Sequence, residues 1–229
     1  PKLITSDIDR DRFYSDYVNT YLERDIKDLS QVGKLSEFYD FLVLLAARTA
    51  QELKYDELAK AIGVSAPTVK NWVSILERSG VIVVLRPYAS TLTNRLVKTP
   101  KLYFTDTGLC AYLCRWPTAE TLENGAADGA ILETYVVSEI IKSYYNAGKT
   151  PDLYYYRDID KKEIDLLIEK GDKLYPIEVK KAKNPAHADK NFDVLKVFKK
   201  QIEPGIVFCM SDELLPYSRT AWFCPISII

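Results

Sequence analysis

The spacing of hydrophobic residues changes near residue 123 of this 229-residue chain. Before that point, apolar residues recur mainly at intervals of three and four, which predicts amphipathic helices with two short strands among them. After it, apolar runs of strand length are interleaved with helical segments, which is typical of a mixed α/β domain. The sequence therefore predicts an α+β protein in three parts: a helical segment over 1–34, a winged helix-turn-helix over 35–122 and a mixed α/β domain over 123–229.

The winged-helix prediction depends on the residues around one short turn. Gly63 suits a sharp turn after a helix, Ser65 is placed to cap the next helix, and Pro67 fits the first turn of that helix. Two strand-like runs separated by a polar loop follow, and this order of elements is that of a winged helix-turn-helix. The predicted elements are helices over 35–47, 55–62 and from Ser65 to Ser79, then strands over 81–85 and 101–104.

The last helix of this motif supplies candidate contacts to DNA. Its outward-facing residues include Lys70, Asn71 and Arg78, which together offer two cations and one amide to phosphates or base edges. Glu77 on the same helix opposes this role because its charge repels phosphate. Winged helices also serve as protein–protein modules, so DNA binding and protein binding both stay open for this domain.

A β-hairpin is predicted around Gly171-Asp172, because such a pair between two apolar runs is typical of a two-residue turn. In the register that this turn sets, Asp165 lies opposite Glu178, where Cβ atoms approach to about 4.5 Å. Period-two alternation places the two acids and Lys180 on one face and the apolar residues on the core face. The same register places Glu163 opposite Lys180. The predicted core-face residues are Ile164, Leu166, Ile168, Tyr175, Ile177 and Val179.

Asp165 and Glu178 are candidate ligands for a divalent cation. Two carboxylates held this close repel each other unless a positive charge lies between them. Hard oxygen ligands suit Mg²⁺ or Mn²⁺, which keep several water ligands and accept a phosphate oxygen. Lys180 is placed to orient a water molecule or to stabilise charge developing on phosphorus. The alternative is a solvated outer face of an amphipathic hairpin.

Glu133 is a third candidate ligand. On a helix predicted from Ile131 to Tyr145, a turn of about 100° per residue places Glu133 in the middle of the apolar face. A carboxylate that faces the core must be paired, hydrogen-bonded, neutralised or bound to a metal. The alternative to a metal ligand is a buried ion pair, for which Arg157 is the candidate partner.

Residues 180–200 contain seven lysines and two aspartates, and a helix is predicted from Ala186 to Lys200. Lysines next to the hairpin, in particular Lys181 and Lys183, are candidate contacts to a phosphate backbone. The alternative is that they only solvate one face of the helix.

Overall charge and composition exclude several classes of protein to which this chain could belong. The chain has 31 Lys and Arg against 32 Asp and Glu, so a wholly basic nucleic-acid coat is excluded. A run of 18 apolar residues is missing and the first residues are charged, so neither a membrane span nor a secretory leader is expected. The four cysteines, which form no Cys-x-x-Cys motif, fit buried positions in a cytoplasmic protein (Cys110, Cys114, Cys209 and Cys224).

Asp165 followed by Glu178-x-Lys180, with Glu133 on the preceding helix, resembles the PD-(D/E)XK nuclease superfamily. The chain as a whole is similar to the C-terminal part of bacterial and archaeal AAA-type ATPases that carry domain of unknown function 4143. The helix-turn-helix and six motifs match this pattern in order. The motifs are Tyr21-Leu22-Glu23-Arg24-Asp25 before the helix-turn-helix and, after it, Leu102-Tyr103-Phe104-Thr105-Asp106-Thr107-Gly108-Leu109, Gly129-x-x-x-Glu133, Tyr156-Arg157, Glu163-Ile164-Asp165 and Ile177-Glu178-Val179-Lys180.

The resemblance implies a restriction-endonuclease-like domain in which Asp165, Glu178 and Glu133 bind Mg²⁺ or Mn²⁺ and Lys180 positions the attacking water. It also implies an upstream ATPase domain that binds ATP, with 1–34 as the linker from it. Gly148-Lys149-Thr150 lacks the first glycine of a P-loop, so no ATP site is expected in this sequence.

Three functions follow from these residues. The first is a Mg²⁺-dependent DNA phosphodiesterase gated by an ATPase. The second is a catalytically silent module of the ATPase that binds DNA or a protein. The third is an assembly scaffold, for which the apolar surface of the first helices would mediate self-association into a homo-oligomer.

Overall fold

The computed structural model describes residues 7–21, 35–89, 91 and 99–229. Its first half contains the predicted winged helix-turn-helix, with the turn between α3 and α4 and an antiparallel pair of strands after it. The elements of this half are α1 (Arg10–Thr20), α2 (Leu35–Ala46), α3 (Tyr55–Ile62), α4 (Ala66–Arg78), β1 (Ile82–Leu85), β2 (Lys101–Phe104), α5 (Thr107–Leu113) and α6 (Ala119–Glu123).

The turn of the winged helix has the predicted local structure. Gly63 has φ 78°, a left-handed conformation that favours glycine, and it ends α3. The Ser65 hydroxyl accepts a hydrogen bond from the Thr68 N–H, which satisfies a backbone donor at the start of α4. Trp72 on the inner face of α4 packs edge-on against Phe38 of α2, so an aromatic core holds the helices together.

The second half is a mixed α/β domain built on a seven-stranded sheet, so the α+β prediction is confirmed. Strand order in this sheet is β3-β4-β5-β7-β9-β8, with β6 paired to β5. Helix α7 covers one face of the sheet, and the 3-10 helix Phe192–Phe198 covers the other. The elements are α7 (Asp128–Asn146), β3 (Leu153–Arg157), β4 (Glu163–Lys170), β5 (Lys173–Val179), the 3-10 helix Phe192–Phe198, β6 (Gln201–Ile202), β7 (Gly205–Cys209), β8 (Leu215–Pro216), β9 (Ala221–Pro225) and the 3-10 helix Ile226–Ile228.

The hairpin β4–β5 has the predicted register. Gly171 has φ 61° in the two-residue turn, and Lys170 pairs with Lys173. The pairs from there to Leu166 and Ile177 follow without a slip. The regular pairs end there, and Asp165 and Glu178 are the next residues along the two strands; a hydrogen bond from the Val179 N–H to Asp165 keeps the two strands together at this point.

The predicted alternation along β4 is wrong at its first residues. Leu167 pairs with Tyr154 but Ile164 pairs with Tyr156, so β4 has one extra residue here, a β-bulge. The bulge turns Ile164 to the face of Leu167 instead of that of Leu166. Because elements cover both faces of the sheet, the acids also do not lie on a solvated surface.

The helix predicted from Ala186 to Lys200 is a series of turns followed by the 3-10 helix Phe192–Phe198. His187 and Lys199 have φ 54° and 53°, which interrupts an α-helix at both ends. Phe192 and Leu195 are buried three residues apart, as the 3-10 repeat requires.

The N-terminal helix α1 packs on the winged helix. The Tyr14 hydroxyl donates to the Asp106 carboxylate at 3.1 Å, and the Tyr14 ring stacks on Tyr112. The rest of the predicted helix and most of the motif from Tyr21 to Asp25 lie outside the described residues. In the parts of the chain that the structure covers, we find no helix of sufficient length and apolar character to span a bilayer.

Gly205 at the start of β7 is expected to tolerate no side chain. A Cβ atom there would lie 2.7 Å from the Pro176 carbonyl oxygen and would overlap the Phe192 ring. We expect Gly205→Ala to lower the free energy of unfolding by about 1–3 kcal/mol in urea denaturation. Gly129→Ala in α7 is the matched control, because nothing lies within 4 Å of its Cβ position; an equal effect of both substitutions would contradict the prediction.

Candidate functional site

Asp165 and Glu178 form a buried carboxylate pair, 8% and 6% exposed. The Val179 N–H donates to Asp165 Oδ2 at 2.8 Å, which ties Asp165 on β4 to the end of β5. The Lys180 ammonium lies 2.6 Å from Glu178 Oε1 and 3.9 Å from Asp165 Oδ2. The structure thus brings together the three hairpin residues that the sequence selected as catalytic.

One oxygen atom of this carboxylate pair has no hydrogen-bond partner. Glu178 Oε2 is buried and accepts no hydrogen bond. Burial and the neighbouring Asp165 charge raise the pKa of Glu178 to about 8, although Lys180 acts in the opposite direction. Burial also raises the pKa of Asp165. Lys180 pairs with Oε1 only, so the buried Oε2 atom can still take a proton or a further cation, because a buried polar atom without a partner is costly.

Glu133 faces the core, as the helical pattern predicts, but its ion-pair partner is not Arg157. Its Oε1 accepts from the Lys101 ammonium at 3.0 Å and from the Tyr103 hydroxyl at 2.7 Å. Arg157 instead pairs with Glu52 at 3.2 Å, because it is on β3 at the edge of the sheet. Burial, followed by the Asp165 charge, raises the pKa of Glu133 to about 7, so the two carboxylates still interact.

Lys101 is a site residue that the sequence analysis missed. It is 3% exposed, its ammonium contacts Glu163 as well as Glu133, and it lies 5.5 Å from the Tyr155 ring centroid. Burial alone would lower the pKa of Lys101, but Glu133 and Glu163 raise it above its ordinary value, so the side chain stays charged. The only signal in the sequence is a lysine in a strand that is otherwise apolar.

The predicted pairing of Glu163 with Lys180 is also wrong. Glu163 lies opposite Arg157 on β3, with 3.7 Å between Oε2 and Nε, and its other oxygen contacts Lys101. The bulge in β4 separates Glu163 from the regular part of the hairpin, so the register of β4 and β5 does not extend to it.

The charges of this cluster do not balance. Glu133, Glu163, Asp165 and Glu178 bring four carboxylates, against the two ammonium groups of Lys101 and Lys180. Arg157 contacts both Glu52 and Glu163, and counting Arg157 and Glu52 with the cluster adds one charge of each sign, so the balance is unchanged. When all its groups are ionised, the cluster therefore has an excess of two negative charges, which one divalent cation would neutralise.

The donor set fits a Mg²⁺ or Mn²⁺ ion with few protein ligands. Within the described ranges, no three Asp, Glu, His or Cys residues are arranged to hold a metal ion together. Mg²⁺ is commonly held by one or two carboxylates and keeps several waters. Asp165 and Glu178, with the unpartnered Oε2, match this smaller requirement.

The candidate DNA-binding residues fall into two groups. Lys70, Asn71 and Arg78 are exposed on α4, and in the described part of the chain neither cation pairs with a carboxylate. Lys181 lies 2.8 Å from Asp128 Oδ2, and Lys183 lies 2.5 Å from Asp212 Oδ2. The charges of this second group are therefore compensated within the protein.

Family comparison accounts for both halves of the chain. Residues 1–120 match the domain of unknown function DUF8612. The chain belongs to this family. Residues 128–229 match a second domain of unknown function, DUF4143, which contains all four acids of the cluster.

Two mycobacterial proteins are similar to this family member. The uncharacterized proteins Mb2031c of Mycobacterium bovis and Rv2008c of Mycobacterium tuberculosis are each 28% identical to it over 171 residues. The match covers 74% of this chain but only 38% of each relative. The chain thus spans well under half the length of these relatives.

Solved structures give weaker likenesses. A mutant of MepR from Staphylococcus aureus, bound to an oligodeoxyribonucleotide, is 21% identical, with 58% of this chain and 93% of that chain covered and a TM-score of 0.27. The PcaV transcriptional regulator of Streptomyces coelicolor is 19% identical over the same shares, with a TM-score of 0.26. Likenesses at these scores carry no argument about function.

Proposed function

We propose that the second half of this chain is a divalent-cation-dependent phosphodiesterase domain that acts on DNA, and that the winged helix binds the DNA. The observation that carries the proposal is the buried, unpartnered Glu178 Oε2 beside Asp165, with an ammonium group within reach of both carboxylates. The excess of two negative charges supports a dication at this place.

Asp165 and Glu178 would hold Mg²⁺ or Mn²⁺, and the ion would act as a Lewis acid towards a phosphate oxygen and would lower the pKa of a water molecule. The backbone N–H of Val179 keeps Asp165 oriented through its Oδ2 atom. The Lys180 side chain is 40% exposed, so it reaches solvent and can donate to a phosphate oxygen on which negative charge develops.

The experiment is Mg²⁺-dependent nicking of supercoiled plasmid DNA. We expect Asp165→Asn to lower the nicking rate by at least about 100-fold, because it removes a charged oxygen on which the cation depends. Asp172→Asn in the exposed hairpin turn is the matched control and should leave the rate unchanged. Nicking that persists in Asp165→Asn, or that does not depend on the metal, would contradict the proposed site.

DNA binding through α4 is tested separately from cleavage. Because neither Lys70 nor Arg78 pairs with a carboxylate of the described residues, we expect Lys70→Ala and Arg78→Ala each to weaken DNA binding and to reduce its salt dependence by about one ion. Lys181→Ala is expected to have little effect, since Asp128 already neutralises Lys181. Fluorescence anisotropy with labelled duplex DNA at several salt concentrations measures the affinity of each variant. A larger loss of affinity in Lys181→Ala than in the α4 variants would indicate that the DNA binds to the sheet domain.

A catalytically silent DNA- or protein-binding module is the second candidate. One observation favours it: Lys180 already neutralises Glu178 at 2.6 Å, so the pair has an internal counter-ion. Metal-independent DNA binding without nicking would support this module over the phosphodiesterase.

The activity of the whole protein is a further part of the proposal. Because the match covers 38% of the mycobacterial relatives, we propose that the chain works as the C-terminal region of a longer protein with an ATPase domain. ATP hydrolysis by that longer protein, stimulated by DNA and weakened by Lys70→Ala, would support this arrangement. Absence of ATP hydrolysis would contradict it.

A further inference from the structure

The Lys101 ammonium has the surroundings that a bound metal ion would have. It contacts the carboxylates of Glu133 and Glu163 from two different elements, α7 and β4. The Lys101 side chain is 4% exposed, and the ammonium attracts the Asp165 charge as well. Two acids thus contact one cation, a third lies close enough to attract it, and that cation belongs to the protein.

We propose that Lys101 occupies the place that a divalent cation would otherwise take between Glu133 and Glu163. Glu133 is then a partner of Lys101 and not a metal ligand. Lys101 acts as a positioning residue that limits the cluster to one exchangeable cation, held by Asp165 and Glu178. This last point rests on the proposed function, whereas the role of Lys101 itself does not.

The charge of the cluster supports this limit. With Lys101 and Lys180 in place, one dication neutralises the excess of two negative charges. A second dication would leave two positive charges buried without partners, which is costly. Removing Lys101 raises the excess to three negative charges and vacates the space between Glu133 and Glu163.

Lys101 comes from the winged helix and is rigidly held. On one side of it β2 pairs with β1, and on the other the Ala50 N–H donates to the Leu102 carbonyl at 2.7 Å while the Leu102 N–H donates to the Gln51 carbonyl at 3.1 Å. Tyr103, two residues along β2, donates a second hydrogen bond to Glu133 Oε1. The first half of the chain therefore determines how many cations the second half binds.

The test counts bound Mn²⁺ by electron paramagnetic resonance in the full chain and its variants. Lys101→Met is expected to bind one Mn²⁺ more than the wild type, and Lys101→Met combined with Glu133→Gln is expected to lose that extra ion. Glu133→Gln alone is expected to keep the wild-type number, whereas Asp165→Asn is expected to lower it.

Two results would overturn the inference: no gain of Mn²⁺ in Lys101→Met, or loss of a wild-type ion in Glu133→Gln. A wild type that binds no Mn²⁺ while Lys101→Met binds one would refute the proposed phosphodiesterase site but support the role of Lys101. If Lys101→Met is unfolded without metal, millimolar Mn²⁺ is expected to restore its near-ultraviolet circular dichroism, but not that of the double variant. Failure to restore it would also overturn the inference.

Discussion

Replacing Lys101 by methionine is expected to lower the free energy of unfolding by about 3–5 kcal/mol in metal-free buffer. Methionine keeps most of the length of the side chain but removes the ammonium that Glu133 and Glu163 share. Glu133 and Glu163, whose side chains are 16% and 29% exposed, are then left without the buried ammonium that is their shared counter-ion. Leaving these carboxylates unpaired destabilises the folded state. Urea denaturation at pH 7 measures the loss.

A double variant separates charge from packing. Glu133→Gln in the Lys101→Met background removes one of the orphaned charges and should recover part of the lost stability. Lys142→Met is the control, because the Lys142–Glu139 pair is an exposed pair on α7 that contributes less than about 1 kcal/mol. If Lys101→Met and Lys142→Met lowered the free energy of unfolding by the same small amount, the contacts of Lys101 with Glu133 and Glu163 would not be what stabilises β2 against the site.

The free energy of unfolding without metal is expected to fall as pH rises from about 4.5 to about 8. The pKa of Glu178 is about 8 in the folded protein against an ordinary value of 4.5, so over this range the folded state holds a proton that the unfolded chain has released. Raising the pH therefore favours unfolding. Since one pKa unit corresponds to about 1.4 kcal/mol, the loss is of the order of a few kcal/mol.

Glu178→Gln and added Mg²⁺ identify the group responsible. The glutamine amide cannot ionise, so the variant should show a flatter pH dependence. The remaining slope comes from Glu133, whose pKa of about 7 acts in the same direction, and from Asp165, whose pKa is also raised. Mg²⁺ should stabilise the wild type more at pH 8 than at pH 5, because the cation binds the deprotonated carboxylates. Glu120→Gln on the exposed side of α6 is the control. Stability that rises steadily from pH 4.5 to 8 would contradict the raised pKa.

Local patterns allowed much of this fold to be predicted. Gly63, Ser65 and Pro67 act within one turn of the chain, so they identify the winged helix without any long-range information. The hairpin register is local as well, because the turn at Gly171 fixes every pair out to Leu166. Asp165 and Glu178 are the next residues beyond the last of these pairs, so the register also indicates that they lie close together.

Non-local contacts explain what the sequence did not show. Lys101 and Glu133 are 32 residues apart and meet only when α7 packs on β2, so no spacing rule identifies them as partners. The bulge at the start of β4 arises from its pairing with β3, and it changes the neighbours of Ile164 and Glu163. The prediction that Arg157 pairs with Glu133 was wrong because Arg157 forms its ion pair with Glu52, which is far away in sequence.

The central claim is that Asp165 and Glu178 together hold one divalent cation. A crystal of the full chain soaked in Mn²⁺ and measured at an X-ray energy where manganese scatters anomalously tests this directly. We predict a single anomalous peak bonded to Asp165 and to Glu178 Oε2, with Glu133 still on Lys101. No peak between the two carboxylates, with Lys180 still paired to Glu178 at high Mn²⁺ concentration, would contradict it.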